Sequence, residues 1–200
     1  MNTNKNFSRS IGILALITGG ILLIPLIAMQ FSTDVDWSLS DFIIMGILIF
    51  GTGFTYLFVT RKSEEIAYRV AIGFALFTGF FLIWVNLAVG IIGSEDNLIN
   101  LWYFGVIVIG LIGGLITRFK AIGMMYTMFS MGLAQALIAV FALLRGMQHE
   151  PVSPVTEIVG VNGFFITLFV LSALFFRYAA QEINEAETSQ KTTGQETNNK

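Results

Sequence analysis

Six long apolar runs, separated by short polar segments, organise this chain. They cover Ile11–Met29, Phe42–Thr60, Val70–Ile92, Leu98–Thr117, Ala121–Leu144 and Val155–Phe176. Each is close to the roughly 20 residues (range about 17–25) that an α-helix needs to cross the hydrocarbon core of a bilayer. The short connections require neighbouring helices to run antiparallel. The pattern predicts an all-α, polytopic membrane protein, with six transmembrane helices in one antiparallel bundle over residues 1–178. The segment 179–200 has almost no large apolar residue and is rich in Gln, Glu, Thr and Asn. A frayed helix end followed by disorder is expected there.

Charge gives the bundle an orientation. Lys5, Arg9, Arg61, Lys62, Arg69, Arg118, Lys120, Arg177, Lys191 and Lys200 fall on one side of the threaded ribbon, and Arg145 alone on the other. Basic residues stay cytoplasmic, so both termini are expected inside. Shifting the count by one span breaks the alternation, which favours six spans over five or seven. The acidic residues of the outer segments, Asp34, Asp36, Asp41, Glu95, Asp96, Glu150 and Glu157, add to the asymmetry. Lys5, Arg9 and the run to Met29 also suit a signal peptide, but the run is long for that role and nothing like A-x-A follows it. Pro25 is expected to kink or loosen the end of the first span. Trp37, Trp102 and Tyr103 fall at the outer interface and Tyr68 and Tyr178 at the inner one, where amphipathic rings gather.

Composition agrees and narrows the chemistry. Of 200 residues, 55% are hydrophobic and 12% charged, against about 25% charged in soluble domains. Mean hydropathy is +0.77. A net charge of −2 gives no reason to expect nucleic acid. The absence of cysteine removes disulfides, thiolate metal sites and a cysteine nucleophile, and a single histidine removes a bis-His haem. No catalytic residue, metal site or cofactor is expected. The bilayer is the expected partner, with a second copy or another membrane protein beside it.

Lipid supplies no hydrophobic drive between helices, so small residues mark contact faces. Ala71, Ala75 and Gly79 line one face of span three, Gly110 and Gly114 one face of span four, and Ser130, Gly132, Ala134 and Ala136 recur in span five. Spans three and four are expected to supply a packing face that brings Ala75 and Gly110 together, within one chain or between two copies. A faint internal repeat links Gly46–Gly51, Thr60-Arg61 and Ala71-Ile72-Gly73 to Gly105–Gly110, Thr117-Arg118 and Ala121-Ile122-Gly123. Such repeats are frequent in transporters.

No charged residue falls deep in a span, which argues against proton-coupled transport. The deep polar residues are amides: Asn86, Gln135 and Asn162. At 1.5 Å per residue all three sit roughly 4–8 Å to the outer side of the midplane. Two arrangements suit them. They bond to one another and lock spans three, five and six, or they line a polar cavity open to the outside. Beside them, Glu95, Asp96 and Asn97 form an outer acidic turn close in depth to Asp41, with Arg145 as the available counter-charge. The turn suits either a hard cation, although no EF-hand spacing is present, or a solvated cap for span four. His149 lies alone in an outer loop. No nucleophile–base pair, H-E-x-x-H, Walker loop or CxxC is present.

The stretch Ala67-Tyr68-Arg69, the motif W-V-N-L-A-V-G-I-I-G-S-E-D-N from Trp84 to Asn97, then Tyr103-Phe-Gly-Val and Ala134-Gln-Ala-Leu resembles a group of small uncharacterised bacterial inner-membrane proteins. The resemblance covers spans three to five and implies a bacterial cytoplasmic membrane. It carries no activity and transfers no functional residue. The expected function is non-enzymatic, structural or accessory; the alternative is a small-solute or ion permease with an outward-facing polar cavity.

Overall fold

The computed structural model describes residues 3–198 apart from 34, 62, 64, 94–96 and 148–153, and the side chains among them from 7 to 189. Among the described residues, regular structure is helical throughout: α1 (Thr3–Phe31), α2 (Leu39–Thr60), α3 (Ile66–Ala88), a 3₁₀ turn (Leu98–Asn100), α4 (Leu101–Ile116), α5 (Ala121–Leu144) and α6 (Val155–Asn198). Among the described residues, six helices are long and apolar enough to cross a membrane. Their contacts group into two compact units, Met1–Lys62 and Ser63–Lys200.

The first unit is the pair α1 and α2. A capping box starts α2: the Ser38 N–H donates to Asp41 Oδ2 at 2.7 Å, and the Asp41 N–H donates to Ser38 Oγ at 3.4 Å. The two helices touch where α2 has no side chain. A Cβ on Gly53 would lie 2.4 Å from Leu14 Cδ1, and one on Gly46 would lie 3.4 Å from Leu22 Cδ1. The rising number on one helix against the falling number on the other makes the pair antiparallel. Phe50, Phe54 and Phe58 stack along α2. α1 continues through Pro25 to Phe31. Thr18 and Thr60 are the buried residues among those described in this unit. Such exposed apolar helices are stable against lipid and not against water.

In the second unit α6 packs against both α5 and α3, and α4 packs against α5. The buried positions repeat at helical spacing. On α6 they include Ile158, Asn162, Phe165, Phe169, Ala173 and Phe176; on α3 they include Tyr68, Ala71, Ala75, Thr78, Leu82 and Asn86. Lipid-sized exposed residues such as Leu133, Leu137 and Leu144 cover the opposite side of α5. Three expectations change here. First, α3 and α4 touch lightly and are not each other's main partner. Gly79 faces Ile107 of α4, but Gly110 faces Met131 of α5 and Gly114 faces the Phe119 ring. Within one chain, Gly110 therefore meets α5 and not Ala75. Second, span three does not run to Ile92: the helix ends at Ala88, and Gly90 and Gly93, at φ 71° and 70°, turn the chain back. That left-handed backbone is where glycine has no steric cost. Third, α6 continues to Asn198 across the stretch expected to be disordered. Once an apolar helix is nucleated, extension adds one bond per residue fixed, and the Glu-, Gln- and Ala-containing sequence is compatible with it.

The α4–α5 hairpin closes by reciprocal glycine–threonine contacts. A Cβ on Gly113 would fall 2.5 Å from Thr127 Cγ2, and one on Gly123 would fall 2.4 Å from Thr117 Cβ. The turn between them places Arg118 and Phe119 at φ 53° and 57°, where a Cβ is disfavoured. The Tyr68 hydroxyl of α3 donates to the Phe119 carbonyl and ties the turn to the bundle. Gly123→Ala is expected to cost about 1–3 kcal/mol, because Thr117 Cβ has no freedom to retreat. Gly105→Ala, whose Cβ would meet nothing within 4 Å, is expected to be neutral or to stabilise by up to about 1 kcal/mol. Unfolding of both variants in detergent micelles measures the contrast.

Candidate functional site

The amides divide into two clusters. Asn162 stands on the buried stripe of α6, where its Oδ1 accepts from the Tyr103 hydroxyl of α4 at 2.9 Å and from Gln135 Nε2 of α5 at 3.1 Å. Its Nδ2 donates to the Ile158 carbonyl, one turn back, at 2.8 Å. One side chain thus joins α4, α5 and α6. Gln135 is 0% and Asn162 1% exposed. Gln135 Oε1 has no hydrogen-bond partner, a cost that a fully formed network would avoid.

Asn86 does not join them. Its Nδ2 donates to the Asn100 carbonyl at 3.0 Å. The expected three-amide lock of spans three, five and six is therefore a lock of α4, α5 and α6, with Tyr103 in place of Asn86. The reason lies in the returning loop. Asn100 Oδ1 accepts from the Ile91 and Ile92 N–H groups at 3.1 and 3.0 Å, and its Nδ2 donates to the Ile92 carbonyl at 3.2 Å. A side chain supplies the bonds that the helix no longer does, so Ile91 and Ile92 remain buried without being helical. Asn86 and Asn100 are 4% and 3% exposed, yet Asn86 Oδ1 has no partner.

Sequence reading missed both Asn100 and the deep role of Tyr103. An asparagine beside a helix start looks like an ordinary turn residue. A tyrosine near a span end looks like an interfacial anchor. The only available signal for Tyr103 is its spacing with Val106, which puts both on one buried face of α4.

The outer turn is partly described. Glu95, Asp96, Asp34 and His149 lie outside the described residues. Asn97 Oδ1 accepts from the Ile99 N–H at 3.2 Å and starts the 3₁₀ turn that leads into α4. The Asp41 carboxylate caps α2. The Arg145 guanidinium lies 5.2 Å from the Phe141 ring centroid, and Phe141 stacks on Trp102 at 4.8 Å.

Two cavities adjoin at this end of the second unit. One, of about 170 Å³, is lined by Asn86, Leu87, Asn97, Leu98, Asn100, Leu101 and Phe104. The other, of about 470 Å³, is lined by Trp102, Phe141, Arg145, Gly146 and Met147 together with Asn97, Leu98 and Ile99. Asn97 and Leu98 are common to both. Chemically, this end offers hydrogen-bond acceptors, amide donors, stacked rings and one guanidinium. Comparison with known proteins finds no matching family model, no matching curated protein and no matching solved structure.

Proposed function

We propose that the chain is a non-enzymatic integral protein of a bacterial cytoplasmic membrane, both termini cytoplasmic, with a structural or accessory role exercised through its packed helices. Six apolar helices support residence in a membrane. The observation that carries the role is the Tyr103–Asn162–Gln135 cluster: Asn162 Oδ1 takes its bonds from buried groups of two other helices and ties three helices together. A substrate path through these groups would need them hydrated or exchanging partners. Basic loops and the W-V-N-L-A-V-G-I-I-G-S-E-D-N stretch favour the stated membrane and orientation.

One observation favours the permease reading: Asn86 lines a cavity, and its buried oxygen has no hydrogen-bond partner. Flux separates the two. Proteoliposomes carrying the purified chain are expected to pass glycerol, urea and K⁺ no faster than protein-free liposomes. Flux above that background, abolished by Asn86→Leu, would establish the permease and overturn the structural role.

A further inference from the structure

The second unit sets four cations around one buried tyrosine. Tyr68, in the first turn of α3, donates its hydroxyl to the Phe119 carbonyl of the α4–α5 turn and sets its ring edge-on to Phe176 of α6, with centroids 6.2 Å apart. Three elements therefore meet at one residue. Each contact residue has a cation as its sequence neighbour: Arg69 follows Tyr68, Arg118 and Lys120 flank Phe119, and Arg177 follows Phe176. Tyr68 and Phe176 are buried and Phe119 half-buried, whereas all four cations are exposed. The left-handed backbone at Arg118 and Phe119 sets the Phe119 ring on Gly114 while both flanking cations stay in the open.

The four also share one level. Arg69 lies in the first turn of its span, Arg118 and Lys120 between the spans that end at Ile116 and begin at Ala121, and Arg177 at the end of the apolar part of α6. That level is where lipid phosphates lie. Beside the cations, Val70, Ile116 and Ile122 are exposed apolar side chains at the ends of the spans. The carboxylates described in the same segments leave the cations unpaired. Glu65 precedes α3, and Glu182 accepts from the Tyr178 hydroxyl at 2.5 Å. Among the described residues neither is ion-paired to any of the four; Glu64 lies outside the described residues. Basic clusters between helices at this level suit lipids with multiply charged headgroups.

We propose that this cluster binds the headgroup of an anionic phospholipid carrying two phosphates, one held by Arg118 and Lys120 of the turn and the other by Arg69 and Arg177 of α3 and α6. One phosphate would leave charge on at least one of the three elements uncompensated. Guanidinium forks suit phosphate oxygens, and the acyl chains lie along Val70, Ile116 and Ile122. Soluble pyrophosphate has the same two phosphates but nothing to place on those side chains, so the apolar surface selects the lipid.

Native mass spectrometry of the full chain in detergent micelles tests this. Cardiolipin is offered against phosphatidylglycerol at twice its concentration, which equalises phosphate. The native chain is expected to retain cardiolipin by about 5-fold over phosphatidylglycerol. Arg118→Gln with Lys120→Gln, and separately Arg69→Gln with Arg177→Gln, are each expected to erase that preference, because two-phosphate binding needs both halves of the cluster. Arg69→Lys with Arg177→Lys keeps the charge and is expected to keep the preference, which separates lost charge from lost fold. Arg9→Gln with Arg61→Gln removes two cations from the first unit and is expected to change nothing. Equal retention of the two lipids by the native chain overturns the proposal. So does a preference that survives either glutamine pair in the second unit, that is lost in the lysine pair, or that falls as far when Arg9 and Arg61 are replaced. Displacement of cardiolipin by an equal concentration of pyrophosphate overturns the lipid assignment. The inference rests on residence in a membrane but not on the orientation or the structural role. A membrane-resident chain without the preference therefore sinks this inference alone.

Discussion

Asn162→Leu is expected to destabilise the four-helix unit by about 2–4 kcal/mol. The substitution keeps the branched skeleton, but two methyl groups are bulkier than the carboxamide's oxygen and nitrogen, so overpacking adds to the loss. What it removes is the one acceptor shared by Tyr103 and Gln135, leaving a hydroxyl and an amide donor in a fully buried site. Each lost interhelical bond accounts for about 0.6–2 kcal/mol, and each stranded buried group adds about 1–3 kcal/mol. The two ranges describe overlapping effects and are not summed. The sign of a second substitution distinguishes this from ordinary packing. Adding Gln135→Leu to Asn162→Leu removes a stranded group, so the double variant is expected to be no less stable than Asn162→Leu alone. Reversible unfolding in mixed micelles reads both. A single variant within about 0.5 kcal/mol of the native chain, the scatter of ordinary surface changes, would remove the lock from the account.

Asn100→Leu is expected to have an effect of similar size, about 2–4 kcal/mol, but a different distribution. Asn100 holds the Ile91 and Ile92 N–H groups and the Ile92 carbonyl through its side chain. Without it the returning loop has three unpaired backbone groups in a buried setting. The loop should open before the bundle does. Hydrogen exchange is expected to accelerate at Ile91 and Ile92 while the amides of α5 and α6 keep their protection. Unchanged exchange at both isoleucines would show that Asn100 does not hold the loop.

How much of this was readable in the chain differs from residue to residue. The six helices follow from apolar run length, because a span is defined by local sequence and bilayer thickness. Asn86, Gln135 and Asn162 stand out because a polar group in an apolar run has to find a partner. Which partner it finds is a tertiary fact. Tyr103 and Asn162 are 59 residues apart, and no local pattern pairs them. The apolar run continues through Ile91 and Ile92, so run length alone puts the end of span three too late; Gly90 and Gly93 signal a loosened end, and their backbone freedom lets the chain turn after Ala88. Small residues marked contact faces on α3 and α4, but not which helix each face meets: Gly110 meets Met131, and Gly113 and Gly123 meet threonines. The candidate repeat of spans two–three and four–five also divides differently, since α2 and α3 belong to different units while α4 and α5 share a hairpin.

The proposed six crossings, with both termini inside, put successive connections on opposite sides of the membrane, and because the native chain has no cysteine, single introduced cysteines report the side of each. Single cysteines at Thr33, Leu98 and Thr156, and at Ser63, Lys120 and Glu187, sample successive connections and the end of α6. A membrane-impermeant maleimide applied to intact cells is expected to label the first three, and to label the second three only after lysis. Labelling of Ser63→Cys, Lys120→Cys or Glu187→Cys in intact cells, or no labelling of the first three before lysis, would contradict the account.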